Sequence, residues 1–219
     1  EGERVWLLGP RVVGGHGPGP RASPVVVREV CFRRDRVPVS PLPADLGGGA
    51  VLRRLTMDDL DEIWALVDVE RPRLEPWMPW TEGTRTIDDQ RQWLESVVRD
   101  ERTLDGCGIF VDGRYVGGVG LRWDPFDVRG EIGYWIAAAY EGRGLVSRAV
   151  HALVGVGFRD LGLHRIEIRA GVGNTRSRAI PERLGFVPEG IERGGERGSN
   201  GFYDLVVYAI LDDEWPPAS

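Results

Sequence analysis

From position 50 onward, apolar positions recur with two different periods. Residues 50–55 (AVLRRL) make a short run of strand length. Thr56 stands next as an N-cap, with Asp59 three positions on, the spacing of a capping box. Leu60, Ile63, Trp64 and Val67 then fall at i, i+3, i+4 and i+7, one apolar face of a helix. Pro72, Pro76 and Pro79 predict a loop, because proline interrupts helical hydrogen bonding. Thr86 and Asp89 repeat the capping pattern, and Ile87, Leu94, Val97 and Val98 predict a second amphipathic helix ending near Asp100.

The pattern then turns to strands. Residues 106–112 and 114–123 flank Asp112–Gly113, a pair suited to the left-handed positions of a type I′ turn, so they predict a hairpin. Another strand is expected over 129–137. Residues 144–161 read as a helix with Leu145, Ala149, Ala152, Leu153 and Val156 inward and Gly162 as its C-cap. A strand over 163–170, a short helix over 175–184 and strands over 186–192 and 202–211 complete the order β-α-α-β-β-β-α-β-α-β-β, with no internal repeat. The Gly-rich stretch from Glu189 to Gly201 reads as a loop carrying solvated charges.

Composition adds limits. With 42% apolar and 28% charged residues in 219, the chain is a globular protein and not a disordered one. No apolar run reaches the length a membrane-spanning helix needs. A net charge of −6 excludes a dominant basic nucleic-acid footprint. All 28 basic residues are Arg. Two cysteines, Cys31 and Cys107, and three scattered histidines, His16, His151 and His164, make neither a disulfide framework nor a metal site. Residues 1–49 hold 9 Gly and 7 Pro with no hydrophobic period, so a poorly ordered extension is expected before the domain.

Three constellations carry candidate chemistry. Gly142-Arg143-Gly144 joins the strand over 129–137 to the next helix, so unpaired backbone N–H groups, a helix N-terminus and a cation meet where an anion could bind. A tight connection that merely needs two glycines is the simpler alternative. Asn174 and Ser177 are helix-start residues and suit capping. Trp77 and Trp80 flank Met78–Pro79, as packing of a proline loop or as the wall of a pocket. Cys107 alternates with Ile109 in a strand and reads as core.

These residues carry a resemblance. Glu131-Ile-Gly-Tyr-Trp-Ile, Tyr140-Glu-Gly-Arg-Gly-Leu, Asn174-Thr-Arg-Ser-Arg-Ala and Arg183-Leu-Gly-Phe resemble the GNAT superfamily of acetyl-CoA-dependent N-acetyltransferases. The glycines match its R/Q-x-x-G-x-G/A pyrophosphate loop. Leu74-Glu-Pro-Trp-Met-Pro-Trp80, with Glu189-Gly190 and Gly201-Phe-Tyr-Asp204, resembles the ribosomal-protein N-terminal acetyltransferases of RimJ/RimL type. The likeness spans about residues 50–212. It implies an α/β fold, a three-layer α/β/α sandwich whose mixed, largely antiparallel sheet splays between its fourth and fifth strands. It also divides the chain into an extension over 1–48 and an acetyltransferase domain over 49–215.

The resemblance implies roles as well. Acetyl-CoA is the co-substrate, with no metal. Tyr134, Trp135, Ile136, Ala137 and Ala138 would hold its pantetheine arm, together with Asn174. Gly142, Arg143, Gly144 and Leu145 would cradle its pyrophosphate, with Glu141 and Val146 also in the cofactor site. Glu196, 19 positions beyond Ser177, would be the general base, and Ser177 would protonate the departing thiolate. Trp77, Trp80, Glu131 and Tyr203 would line the acceptor site. The implied acceptor is a protein N-terminal α-amine. Such an amine, with a pKa near 7.7–8.0, is roughly 10–15% neutral at pH 7, so a carboxylate can complete its deprotonation. A small amine such as an antibiotic or polyamine, and a CoA-binding domain without turnover, stay open. The resemblance further implies a cytoplasmic protein with no membrane or direct nucleic-acid partner, and it leaves room for a homodimer.

Overall fold

The computed structural model describes residues 42–99, 104–124 and 126–216. The expected extension lies outside them over residues 1–41, as do His16 and Cys31. Eight strands share one sheet in the order β1-β2-β3-β4-β5-β6-β8-β7. They are β1 (Ala44–Gly47), β2 (Ala50–Arg54), β3 (Leu104–Val111), β4 (Arg114–Asp124), β5 (Arg129–Ile136), β6 (Arg165–Gly171), β7 (Val187–Gly198) and β8 (Gly201–Leu211). The helices are α1 (Leu60–Leu74), α2 (Trp80–Gly83), α3 (Ile87–Arg99), α4 (Leu145–Arg159) and α5 (Thr175–Arg183).

Side chains alternate across the pleat, so each strand feeds two apolar clusters. Cys107 and Ile109 of β3 join the α4 side, with Leu121, Leu153 and Ile166. Phe110, next after Ile109 and so in the opposite phase, joins Leu60, Ile63, Val67 and Leu94 of α1 and α3. The α/β/α layering follows from this division. The β3–β4 turn takes the expected form, with positive φ at Asp112 (50°) and Gly113 (79°).

Three expectations are corrected. The sheet begins at Ala44 and not after residue 48, because Gly47–Gly49, all at positive φ, turn β1 back onto β2 and bury Leu46. Helix α1 runs through Pro72 to Leu74. The proline and Asp68, whose carbonyl it leaves without a helical donor, both lie on the exposed side of the helix, where a proline is best tolerated. The stretch from Glu189 to Gly198 is strand and not loop, with only Ser199 and Asn200 turning before β8 begins at Gly201. β7 pairs with β8 as far as Gly198, and a register shift between Glu192 and Glu196 absorbs its glycines, with Gly194 at φ 59° donating to Asp204 Oδ1 (2.8 Å).

One pair of neighbours is parallel. β5 and β6 pair only at Arg129–Arg165, Gly130–Ile166 and Glu131–Glu167, and both strands continue past that register. With β1 ahead of them they are the fifth and sixth strands. Helix α4 leaves β5 through the 142–144 turn, and α5 follows β6, so both helices begin at the open end of this parallel pair.

Candidate active site

A cleft of about 410 Å³ opens beside the parallel pair and gathers residues from α1 to β8. Glu131, Tyr134, Trp135, Asn174, Ser177, Glu196, Tyr203, Trp77 and Trp80 all line it.

Two glycines shape the turn between β5 and α4, whose residues do not line this cleft. Gly142 (φ 73°) and Gly144 (φ 71°) are left-handed. Gly144 is the N-cap of α4 and offers no side chain to the first-turn N–H groups. A Cβ on Gly142 would meet nothing within 4 Å, so the space above that backbone is open. A diphosphate fits such a cradle, with the helix dipole and nearby Arg143 and Arg148 opposing its charge. Arg143 Nη2 donates to Ala139 O (3.0 Å), and its guanidinium stacks over the Tyr140 ring. Leu145 and Val146 are buried, and only their backbone can serve an anion.

The strand leading to that turn is engaged. Ala137 N donates to Val116 O (2.8 Å). Arg73 donates to Ile136 O, and Ala138 N donates to Glu70 Oε1 (3.1 Å). Glu141 receives Arg73 (2.7 Å) at one oxygen and Arg176 of α5 (2.6 Å) at the other. Thus α1 covers the β5 backbone at 136–138, and Glu141 ties α1 to α5.

Asn174 caps α5, its Oδ1 accepting from Ser177 N (3.2 Å). Pro181 lies inside α5 and lacks the N–H that would serve Ser177 O. The Tyr134 hydroxyl donates to that carbonyl instead (2.9 Å) and accepts from Ser177 Oγ (3.2 Å). The proline that threatens the helix therefore leaves a carbonyl that fastens β5 to α5. Burial holds the Tyr134 phenol well above its ordinary pKa.

On β7, Glu189 pairs with Arg165 (2.5 Å) and Glu192 with Arg169 (3.4 Å), whereas Glu196 is half-buried in the cleft wall opposite Tyr203. Tyr203 donates to Trp77 O (2.8 Å) and meets the Trp77 ring edge-on, centroids 5.4 Å apart. Burial and the Glu196 charge push its pKa up to about 12, so it is neutral and no rival base. Glu131 is paired with Arg169 (3.2 Å) and lies 3.8 Å from Arg122, which spends its charge. Burial pushes the Cys107 thiol up to about 12, and that argues against a thiolate nucleophile although Cys107 also lines the cleft.

The sequence reading passed over Gln90, Trp93, Asp105, Tyr115 and Arg169, all of which line the cleft. Gln90 had a signal. It falls between Ile87 and Leu94 on the apolar stripe of α3, where a polar residue is out of place. Burial raises the Asp105 pKa, with Arg122 opposing and Glu131 reinforcing.

Residues 50–187 match the acetyltransferase (GNAT) domain family. The chain is 36% identical over 171 residues to YdaF of Bacillus subtilis (strain 168), whose name assigns it provisionally to the ribosomal N-acetyltransferases; the match covers 75% of this chain and 92% of YdaF. It is 24% identical over 165 residues to the ribosomal-protein-serine acetyltransferase of Escherichia coli (strain K12), covering 74% and 92%. A RimL structure, an L7/L12 alpha-N-protein acetyltransferase in complex with coenzyme A, shares the fold with a TM-score of 0.71 at 20% identity, covering 76% of this chain and 96% of that one. The chain belongs to the GNAT acetyltransferase family.

Proposed function

We propose that this acetyltransferase moves the acetyl group of acetyl-CoA to a protein N-terminal α-amine by direct attack. The observation that carries the reading is one cleft lined by Glu196 and Ser177 together with Tyr134 of β5, the strand that runs on to the left-handed Gly142–Gly144 turn. The relatives named for ribosomal-protein acetylation support the acceptor class.

The chain's own groups divide the work. The Gly142–Gly144 backbone and the α4 N-terminus bind the diphosphate of the co-substrate, which supplies the acyl thioester. Trp77, with Tyr203 holding its carbonyl, walls the acceptor side. Glu196 takes the proton that the amine loses on attack. Ser177 turns its hydroxyl, which donates to Tyr134 in the free protein, to give a proton to the leaving sulfur and regains one from solvent water, to which Glu196 returns the proton taken from the amine. The amine then carries the acetyl group and the thiol is released.

Release of free thiol from acetyl-CoA tests this against three acceptors: peptides with free N-termini, the same peptides N-terminally blocked but containing lysine, and polyamines. Turnover confined to free N-termini is expected. Turnover confined to blocked lysine peptides or to polyamines would overturn the acceptor assignment.

A further inference from the structure

Strand β5 outruns its parallel neighbour. The last register position it shares with β6 is Glu131–Glu167, and β5 continues to Ile136. Ala137 is extended, and its N–H donates to Val116 O on the β4 side. Backbone groups of an extended strand point alternately to its two sides. Ile136 O and Ala138 N therefore point the other way, into the gap that opens between β5 and β6.

One turn of α1 occupies both groups. Glu70 Oε1 accepts from Ala138 N (3.1 Å), and the Arg73 guanidinium donates to Ile136 O. Arg73 Nε also donates to Glu70 Oε2 (2.7 Å), so the two side chains hold each other in place. Arg73 reaches on to Glu141 (2.7 Å), which receives Arg176 of α5 (2.6 Å). The Glu70 side chain is only 11% exposed, although α1 has a solvent face that could have carried it. An ordinary pair three residues apart on a helix would stay on that face; this one is turned onto the β5 backbone.

The two contacts copy those of another extended chain. A carboxylate oxygen stands where an amide carbonyl would accept, and a guanidinium N–H stands where an amide N–H would donate. The pantetheine arm of acetyl-CoA is a chain of that kind, with secondary amides spaced along it. One N–H serves one strong acceptor, so Glu70 and an arm laid along β5 exclude each other at Ala138.

We propose that Glu70 and Arg73 form a strap that fills the seat of the co-substrate's amide arm in the free protein and has to leave for acetyl-CoA to bind. The proposal rests on the acetyl-CoA reading above. The strap keeps the Ala138 N–H and the Ile136 carbonyl paired while no ligand is there. It also lowers the apparent affinity in proportion to the fraction of molecules in which it is open.

The test measures Kd by calorimetry for full-length wild type, Glu70→Ala and Glu70→Gln. The probes are acetyl-CoA and S-acetylpantetheine, which carries the same amides and no phosphate. Glu70→Ala should bind S-acetylpantetheine about tenfold more tightly, because a charge-assisted hydrogen bond no longer has to be broken. Acetyl-CoA should tighten by the same factor, since the strap acts on the part the two ligands share. Glu70→Gln keeps an acceptor for Ala138 N and loses the ion pair, so it should fall between. The melting temperature without ligand should drop in Glu70→Ala while affinity rises. A merely structural pair would lower the melting temperature and leave affinity equal or weaker. Equal or weaker binding by both variants overturns the strap and leaves acetyl-CoA binding intact. A wild type that binds neither probe overturns the acetyl-CoA reading and the strap with it.

Discussion

Two of the three acidic side chains between Glu189 and Glu196 are spent on arginines of β6, and the register shift after Glu192 turns the third into the cleft. Glu196→Gln keeps the shape and removes the proton acceptor. kcat is expected to fall by roughly 10²–10⁴ at pH 7. The loss should shrink as pH rises through the acceptor amine's pKa, near 7.7–8.0, because the amine then arrives neutral. A pH–rate comparison of the two proteins checks this. A deficit that persists unchanged at pH 9 would assign Glu196 to orienting the substrate and not to taking its proton.

At the scale of the element, α5 illustrates how a local fault is absorbed. A proline inside a helix costs about 3 kcal/mol through a lost hydrogen bond and a clash. Here the orphaned Ser177 carbonyl is taken by Tyr134 from β5. Tyr134→Phe should therefore destabilise the protein by about 1–3 kcal/mol, since it strands that carbonyl and removes the acceptor of Ser177 Oγ. In a Pro181→Ala background, residue 181 regains an N–H for the same carbonyl, and the penalty for Tyr134→Phe should drop by about 1 kcal/mol. Urea unfolding of the four proteins of this cycle reads the coupling. Strict additivity would show that the tyrosine and the proline are unrelated.

Over the whole molecule, the parallel β5–β6 pair puts the start of α4 and the start of α5 at one end of the sheet, and Glu141 links them through Arg176 while Arg73 links α1. A ligand seated on the 142–144 turn stabilises the folded chain by mass action. Saturation at about 100 times Kd contributes about 2.7 kcal/mol. Acetyl-CoA should accordingly raise the melting temperature of the wild type. Gly144→Val strains a left-handed position and puts its Cβ 2.9 Å from Arg148 Nη1, so it should abolish that rise. A full acetyl-CoA shift in Gly144→Val would remove the diphosphate from this turn.

The order of strands and helices was legible in the chain because period-2 and period-3.6 patterns are local, and the capping pairs Thr56–Asp59 and Thr86–Asp89 punctuate them. The capping role of Asn174 was legible for the same reason. Element bounds failed where a remote partner decides them. Pro72 does not stop α1, since it and Asp68 lie on the exposed side of the helix, and the glycines of 194–198 become strand once β8 lies alongside. The composition of the cleft was the least legible part. Gln90 and Tyr115 come from different elements, and neither carries a motif; only the packing of α3 on β3 and α1, and of α1 on β4, brings them to one cavity. Sequence determined which segments form helices and strands, since backbone hydrogen bonding and side-chain periodicity act between near neighbours. The tertiary structure alone decided which carboxylate stays unpaired and which carbonyl finds a donor, since those depend on groups far apart along the chain.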